Sequence, residues 1–277
     1  MAYRTVTRFG KTFQIDENLA SNLDEVIKIN DNDSDAVIMI DGREGSGKSK
    51  GLGEPISWYI SGSNVKVVFS YEQFKEAYSK MPPRSTVWFD EFVTCGMSVQ
   101  AMNKEQQKII QYLTMSRKRL VNVILVVPNY FMFGWYFTTH RSVMLLHTYQ
   151  SSLLTRGDFF FYSGARMATM WNKLRKVRVH NLKWANFTGK FPKYQKDFFY
   201  PDEDYQKAKD EAIASLDDKP KSEKENKKDM KWKALWLREH KEEILEETPQ
   251  NLAEMYGMTE RNWQKLKIEL TKKNEEQ

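Results

Sequence analysis

Cysteine and histidine are scarce in this chain. Cys95 is the only cysteine in 277 residues, which excludes a disulfide framework, a cysteine zinc site and a CxxC redox pair together. Four histidines, at 140, 147, 180 and 240, show no ligand spacing, so the sequence assigns them no metal site. No apolar run reaches the roughly 18 residues a membrane helix needs. The opening MAYRTVTRFGKTF has no apolar stretch of the secretory kind. These absences lead us to expect no membrane segment and a reducing, cytoplasmic setting.

The remaining composition is that of a folded protein. Apolar residues make up 40%, charged residues 29% and aromatics 13%, too much buried-type surface for a wholly disordered chain. A net charge of +6 favours a polyanionic partner, though weakly.

The apolar runs come in strand lengths. Ala36–Ile40, Val65–Phe69, Thr86–Phe89, Asn122–Val127 and Val143–His147 are continuous rather than alternating, the pattern of strands buried on both faces. Helix-length segments separate them, at Tyr71–Lys80, Met102–Arg119 and Tyr130–Arg141. Strand and helix in alternation predict an α/β fold with a parallel central sheet. Beyond Tyr149 the rhythm changes. Asp158–Tyr162 and Lys176–Leu182 read as strands, with a helix at Ala165–Leu174 between them and another at Asp204–Ser215. Residues 217–231 hold six lysines and five acids and read as a flexible linker. The expected organisation is a large α/β domain over 1–216 (core 20–150, accessory part 151–216), the linker, and a helical module over 232–277.

Gly42-Arg-Glu-Gly45-Ser46-Gly47-Lys48-Ser49 fits the phosphate-loop pattern G-x-x-x-x-G-K-[ST] in full, directly after an apolar strand. The glycines let backbone N–H groups turn around a phosphate, Lys48 reaches the β- and γ-phosphates, and Ser49 holds Mg²⁺. The following helix breaks its own rules. Gly51 and Gly53 each cost about 1 kcal/mol in a helix interior and Pro55 about 3, so a kink or break is expected near Glu54. Thr86–Phe89 ends in Asp90 and Glu91, which suits a Walker B element: Asp90 near Mg²⁺, Glu91 polarising the attacking water. Asn129, at the end of the Asn122–Val127 strand, suits a γ-phosphate sensor, because its amide can donate to phosphate and accept from water. The aromatic run Tyr130–Phe137 reads first as core packing.

This order of elements resembles the RecA-like P-loop ATPases that carry an additional catalytic glutamate. Residues 85–149 look most like their FtsK–HerA, zonula-occludens-toxin-like and viral DNA-packaging branch. The residues that carry the likeness are Asp90-Glu91, the basic Ser116-Arg-Lys-Arg119, the Asn122–Asn129 strand end and Arg141. The resemblance implies ATP and Mg²⁺ as cofactors, DNA as partner, assembly into a homo-oligomeric ring, and a capsid or portal partner in a viral setting, in host cytoplasm or virion. It also implies an arginine acting in trans; Arg117, Arg119 and Arg141 are candidates, with Arg141 first. The loop on its own also resembles that of thymidylate-kinase-like enzymes, but the lid arginines of those kinases are not found. A non-catalytic DNA-binding scaffold is a third reading.

The C-terminal segment resembles a helix-turn-helix. Thr248-Pro249 opens a short helix that ends at Gly257, and Thr259 caps a second helix over Glu260–Leu270. Arg261, Asn262, Gln264 and Lys265 are the expected DNA-facing residues of that second helix. A three-helix protein-binding bundle is the alternative.

Overall fold

A computed structural model describes residues 2–90, 108–109, 111–113, 117–150 and 157–217, together with 248–250, 264, 267, 268 and 271. The chain divides into two compact units, Met1–Ala214 and Ser215–Gln277.

A hairpin comes first, where the sequence reading has only a polar stretch. β1 (Tyr3–Arg8) and β2 (Lys11–Asp16) pair antiparallel across Phe9-Gly10. Both turn residues have positive φ, 50° and 79°, which matches the twist of the flanking strands. Asp16 then caps α1 (Glu17–Asp31), its carboxylate accepting from Leu19 N at 3.0 Å.

The main sheet has seven strands: β3 (Val37–Gly42), β4 (Val65–Val68), β5 (Thr86–Phe89), β6 (Asn122–Val126), β7 (Ser142–Tyr149), β8 (Asp158–Ser163) and β9 (Phe187–Lys190). Their spatial order is β4-β5-β6-β3-β7-β8-β9. β3 to β7 run parallel, and β8 and β9 add antiparallel to one edge. β6 lies between the strand feeding the phosphate loop and the strand ending in Asp90.

Helices cover both faces, which explains why the central strands have no polar alternation. On one face Ile38, Ile40, Trp88 and Ile124 pack with α1, with α2 (Glu54–Ser61) and with the hairpin. On the other, Val37, Met39, Val87 and Phe89 pack with α3 (Tyr71–Lys80), with residues 130–137 and with α4 (Gly164–Leu174). α5 (Asp202–Asp217) brings Tyr205 and Ala212 to the first face. The aromatic run is mostly core: Tyr130, Phe131, Phe133 and Phe137 are buried, while Trp135 and Tyr136 are exposed.

Two sequence expectations are corrected. Lys176–Leu182 is not a strand. Arg178 has φ +54°, which breaks extension, and Val177 and Val179 are exposed with no sheet to pack on. The strand forms later, as β9. Tyr130–Arg141 is not one helix. A 3-10 turn at Tyr130–Met132 and a π-helical turn at Phe137–Arg141 stand apart, with Gly134 between them outside any helix. The Asn129 side chain accepts from Phe131 N at 2.9 Å and so starts the first turn.

Candidate nucleotide site

β3 delivers the chain into the glycine-rich loop at the carboxyl end of the parallel strands, where open α/β sheets bind ligands. Gly42, Gly45 and Gly47 all take positive φ along it. Lys48 Nζ donates to the carbonyls of Gly42 and Arg43, at 2.7 and 2.8 Å, and so lies folded over the loop. Ser46 is fully buried. Its hydroxyl bonds Arg43 O at 2.7 Å and Thr148 Oγ1 of β7 at 2.6 Å, which ties the loop to the neighbouring strand.

The break after the loop is real. Lys48–Gly53 forms a π-helical turn, and α2 starts only at Glu54, with Pro55 in its first turn, where a missing N–H costs nothing. The two glycines have a packing cause. A Cβ on Gly51 would lie 2.2 Å from the Phe191 ring, and one on Gly53 would lie 2.9 Å from the Trp88 indole. Two large rings press on the turn, and only glycine admits them.

Ser49 and Asp90 meet at the mouth of the loop. Ser49 Oγ donates to Asp90 Oδ1 at 2.9 Å, and Asp90 is fully buried. Two hard oxygens at this spacing, beside a phosphate loop, suit Mg²⁺. The second carboxylate oxygen accepts from the hydroxyl of Tyr205 on α5. Tyr205 stacks on Trp88 at 5.7 Å, and Lys50 Nζ sits 4.7 Å over its ring. Lys50 also bonds Glu54, at 2.6 Å, and Asp202. Burial lowers the Lys50 pKa, but the bonds to Asp202 and Glu54 outweigh it and hold the ammonium above its ordinary value. Burial pushes the Glu54 carboxyl up, against the pull of Lys50. Sequence reasoning missed Tyr205, Lys50, Asp202 and Phe191. All but Lys50 come from the accessory segment, and no motif marks them.

The other candidates are placed as follows. Asn129 stands just beyond β6, its Oδ1 engaged by Phe131 N and its Nδ2 lying 3.5 Å from Arg178 O. Arg141 lies at the start of β7, the opposite end of the sheet from the loop. There it pairs with the fully buried Asp35, its own side chain only 12% exposed. Arg119 is exposed, with Nη2 3.5 Å from Met81 O. Glu91, Arg261, Asn262 and Lys265 lie outside the described residues; Gln264 is helical and exposed.

The histidines depart most from the sequence reading. His147 on β7 stands in register with Asp41 on β3, and the turn after α4 brings in His180. His147 Nδ1 is 2.8 Å from Asp41 Oδ1, and His180 Nε2 is 2.8 Å from Asp41 Oδ2. Their rings stack at 3.9 Å. Burial raises the Asp41 pKa, but His180 and His147 override it and hold the carboxyl well below the ordinary range. Partners 33 and 106 residues apart have no spacing signature, so the sequence offered no signal.

No family model and no curated protein matches the chain. Among solved structures it is similar to the N-terminal domain of zonular occludens toxin from Neisseria meningitidis, at 13% identity and a TM-score of 0.38, over 60% of this chain and 97% of that one. It is also similar to the DNA-packaging ATPase of Sulfolobus turreted icosahedral virus, at 13% identity and a TM-score of 0.34, over 49% of this chain and 95% of that one. The genome-packaging NTPase of Sulfolobus turreted icosahedral virus 2, in complex with AMPPCP, gives 13% identity and a TM-score of 0.31, over 49% and 95%. These overlaps are loose, and the functional reading rests on the chain's own loop and strand ends.

Proposed function

We propose that this chain is a P-loop ATPase that acts on DNA as a homo-oligomeric motor, in translocation or packaging. The observation that carries the ATPase half is the meeting of Ser49 and Asp90, 2.9 Å apart, at the mouth of a complete phosphate loop. Ser49 and Asp90 would hold Mg²⁺, which would supply positive charge to neutralise the phosphates. The protein's own groups do the rest. Loop N–H groups and Lys48 orient the phosphates, and Glu91, next in chain to Asp90, takes the role of general base toward water.

The DNA half rests on the resemblance of residues 85–149, the charge of +6 and the helix-turn-helix pattern near the C-terminus. A capsid or portal partner belongs to the same reading. Of the arginines considered for a trans role, Arg119 is exposed and Arg141 is committed to Asp35 within its own chain, which moves Arg119 ahead of Arg141.

The test is ATP hydrolysis with and without double-stranded DNA. The parent should hydrolyse ATP, faster with DNA. Lys48→Ala should lose binding and turnover together. Glu91→Gln should bind ATP but turn over at least ~100-fold slower. A parent that binds ATP and never hydrolyses it would make the chain a scaffold; hydrolysis indifferent to DNA would remove the motor.

A further inference from the structure

We propose that residues 166–183, the exposed face formed by α4 and the turns after it, hold the phosphate backbone of DNA, an inference that rests on the DNA-binding reading above. Charge segregation carries it. Between Asp158 and Asp197 the chain has nine lysines and arginines and no acid. Residues 106–157 have no acid either. Six of the nine, Arg166, Lys173, Arg175, Lys176, Arg178 and Lys183, are exposed on α4, on the turn after it and on the 3-10 turn Leu182–Trp184.

Other surface cations of this chain stand beside acids. Arg4 pairs with Asp24, Lys28 with Glu25, Lys80 with Glu76 and Arg84 with Asp31. Among the described residues none of the six has such a partner. α4 packs chiefly on β7, on β8 and on the π-helical turn Phe137–Arg141. Of these only β8 carries an acid, Asp158, and Lys190 takes it up at 3.6 Å. An ordinary solvated surface intersperses both signs. Six uncompensated cations gather counterions instead, and a polyphosphate binds by neutralising such charges.

The six form one surface. Arg166 and Lys173 lie two turns apart on the same side of α4. Lys173 Nζ sits 5.6 Å over the Trp184 ring, which brings the turn carrying Lys183 beside the end of the helix. Arg178, between them, takes φ +54°, a conformation rare outside glycine. Val177 and Val179 are 63% and 61% exposed, and with Leu174, Leu182 and Lys183 they line an open groove of about 570 Å³. Cations set among aliphatic side chains suit a sugar–phosphate strand: the cations meet phosphates and the methyls rest on deoxyribose. Contacts of this kind position DNA without reading its bases.

A membrane of anionic lipid would also attract the charge, but it takes up a helix by its apolar face. Met167, Met170 and Trp171 turn that face of α4 into the core. The segment also lies at the nucleotide end of the sheet. Asn129 Nδ2 is 3.5 Å from Arg178 O, and His180 Nε2 is 2.8 Å from Asp41 Oδ2, one residue before Gly42. DNA held here lies at the same end of the sheet as the phosphate loop.

The test titrates the full chain onto a fluorescent duplex of about 30 base pairs at about 50–200 mM KCl. The triple variant Lys173→Gln, Arg175→Gln, Lys176→Gln should bind at least ~10-fold more weakly at about 150 mM, and the slope of log affinity against log salt should shrink by about 3. The swap Lys173→Arg, Arg175→Lys, Lys176→Arg should bind as the parent does, because phosphate contacts need the charge and not a base-reading geometry. Thermal melts confirm that the variants are folded. Should the triple variant unfold, Arg166→Gln with Lys183→Gln gives the same test, with a slope lower by about 2. Parent-like binding by the neutralised variants overturns the proposal and leaves DNA as a partner; loss of binding in Arg261→Gln with Lys265→Gln would then assign the contact to the C-terminal segment. A parent that binds no duplex at about 50 mM KCl removes the DNA reading and this face together. Binding to phosphatidylserine vesicles under those conditions would reassign the face to a membrane. None of these readouts depends on ATP hydrolysis.

Discussion

Tyr205 donates a hydrogen bond to Oδ2 of Asp90 across 115 residues of sequence. The other oxygen of that carboxylate accepts from Ser49, so Asp90 is held at both ends, one end by the loop and the other by the accessory helix α5. The Tyr205 ring is itself fixed, stacked on Trp88 and edge-on to Phe69, each at 5.7 Å. The hydroxyl therefore arrives already oriented, and the accessory segment becomes part of the candidate metal position.

Tyr205→Phe keeps the ring and removes only that hydroxyl. The expected stability loss is about 1 kcal/mol, read by denaturant melts. The larger effect should fall on the Mg²⁺ concentration needed for half-maximal ATPase, which should rise roughly 10-fold, as when the outer partner of a metal ligand is lost. Tyr205→Phe with lower stability and an unchanged Mg²⁺ requirement would reduce Tyr205 to packing.

The sheet was legible because its central strands are covered on both faces. Runs such as Val37–Ile40 and Thr86–Phe89 carry no polar alternation, and the loop and acidic strand end are local patterns tied to them. The hairpin was not legible, since β1 buries only Val6 and the turn is Phe9-Gly10 rather than Asn-Gly or Asp-Gly. The Lys176–Leu182 error has a similar origin. Val177 and Val179 have strand propensity, but no neighbouring strand receives them. Within the site, Lys48, Ser49 and Asp90 follow from short-range motifs. Tyr205, Phe191 and the Asp41–His147–His180 group are long-range products of the fold, and spacing along the chain carries no trace of them.

Gly51 and Gly53 show how an apparent helix fault is a packing requirement. Gly51→Ala should improve local helix propensity by about 1 kcal/mol. The new methyl would meet the Phe191 ring at 2.2 Å, and overpacking of this kind costs about 1–3 kcal/mol. Net destabilisation is therefore expected. Adding Phe191→Leu to Gly51→Ala should recover stability, because the two effects are coupled through one contact. Thermal melts of the two single variants and the double variant check this. Additive losses would mean that Phe191 is not what keeps position 51 as glycine.

Arg141 and Asp35 make the last case, and here two roles for one residue can be told apart. Asp35 precedes β3 and Arg141 precedes the parallel β7, so the pair closes the end of the sheet away from the loop. The Asp35 side chain has no exposure, and Arg141 covers it. Arg141→Ala leaves a buried carboxylate without its cation, which costs about 3–5 kcal/mol. At about 2–4 °C per kcal/mol for a domain of this size, the melting temperature should drop by roughly 6–20 °C. Arg141→Met with Asp35→Asn removes both charges and should recover much of that loss. A residue acting in trans on a neighbour's nucleotide would behave differently. Arg141→Ala would then melt at the parent temperature and lose turnover, and mixing it with Glu91→Gln subunits would restore activity, since one kind of mixed interface keeps both groups. The fold favours the first outcome, because a guanidinium bound to a buried carboxylate in its own chain is not free to reach across an interface.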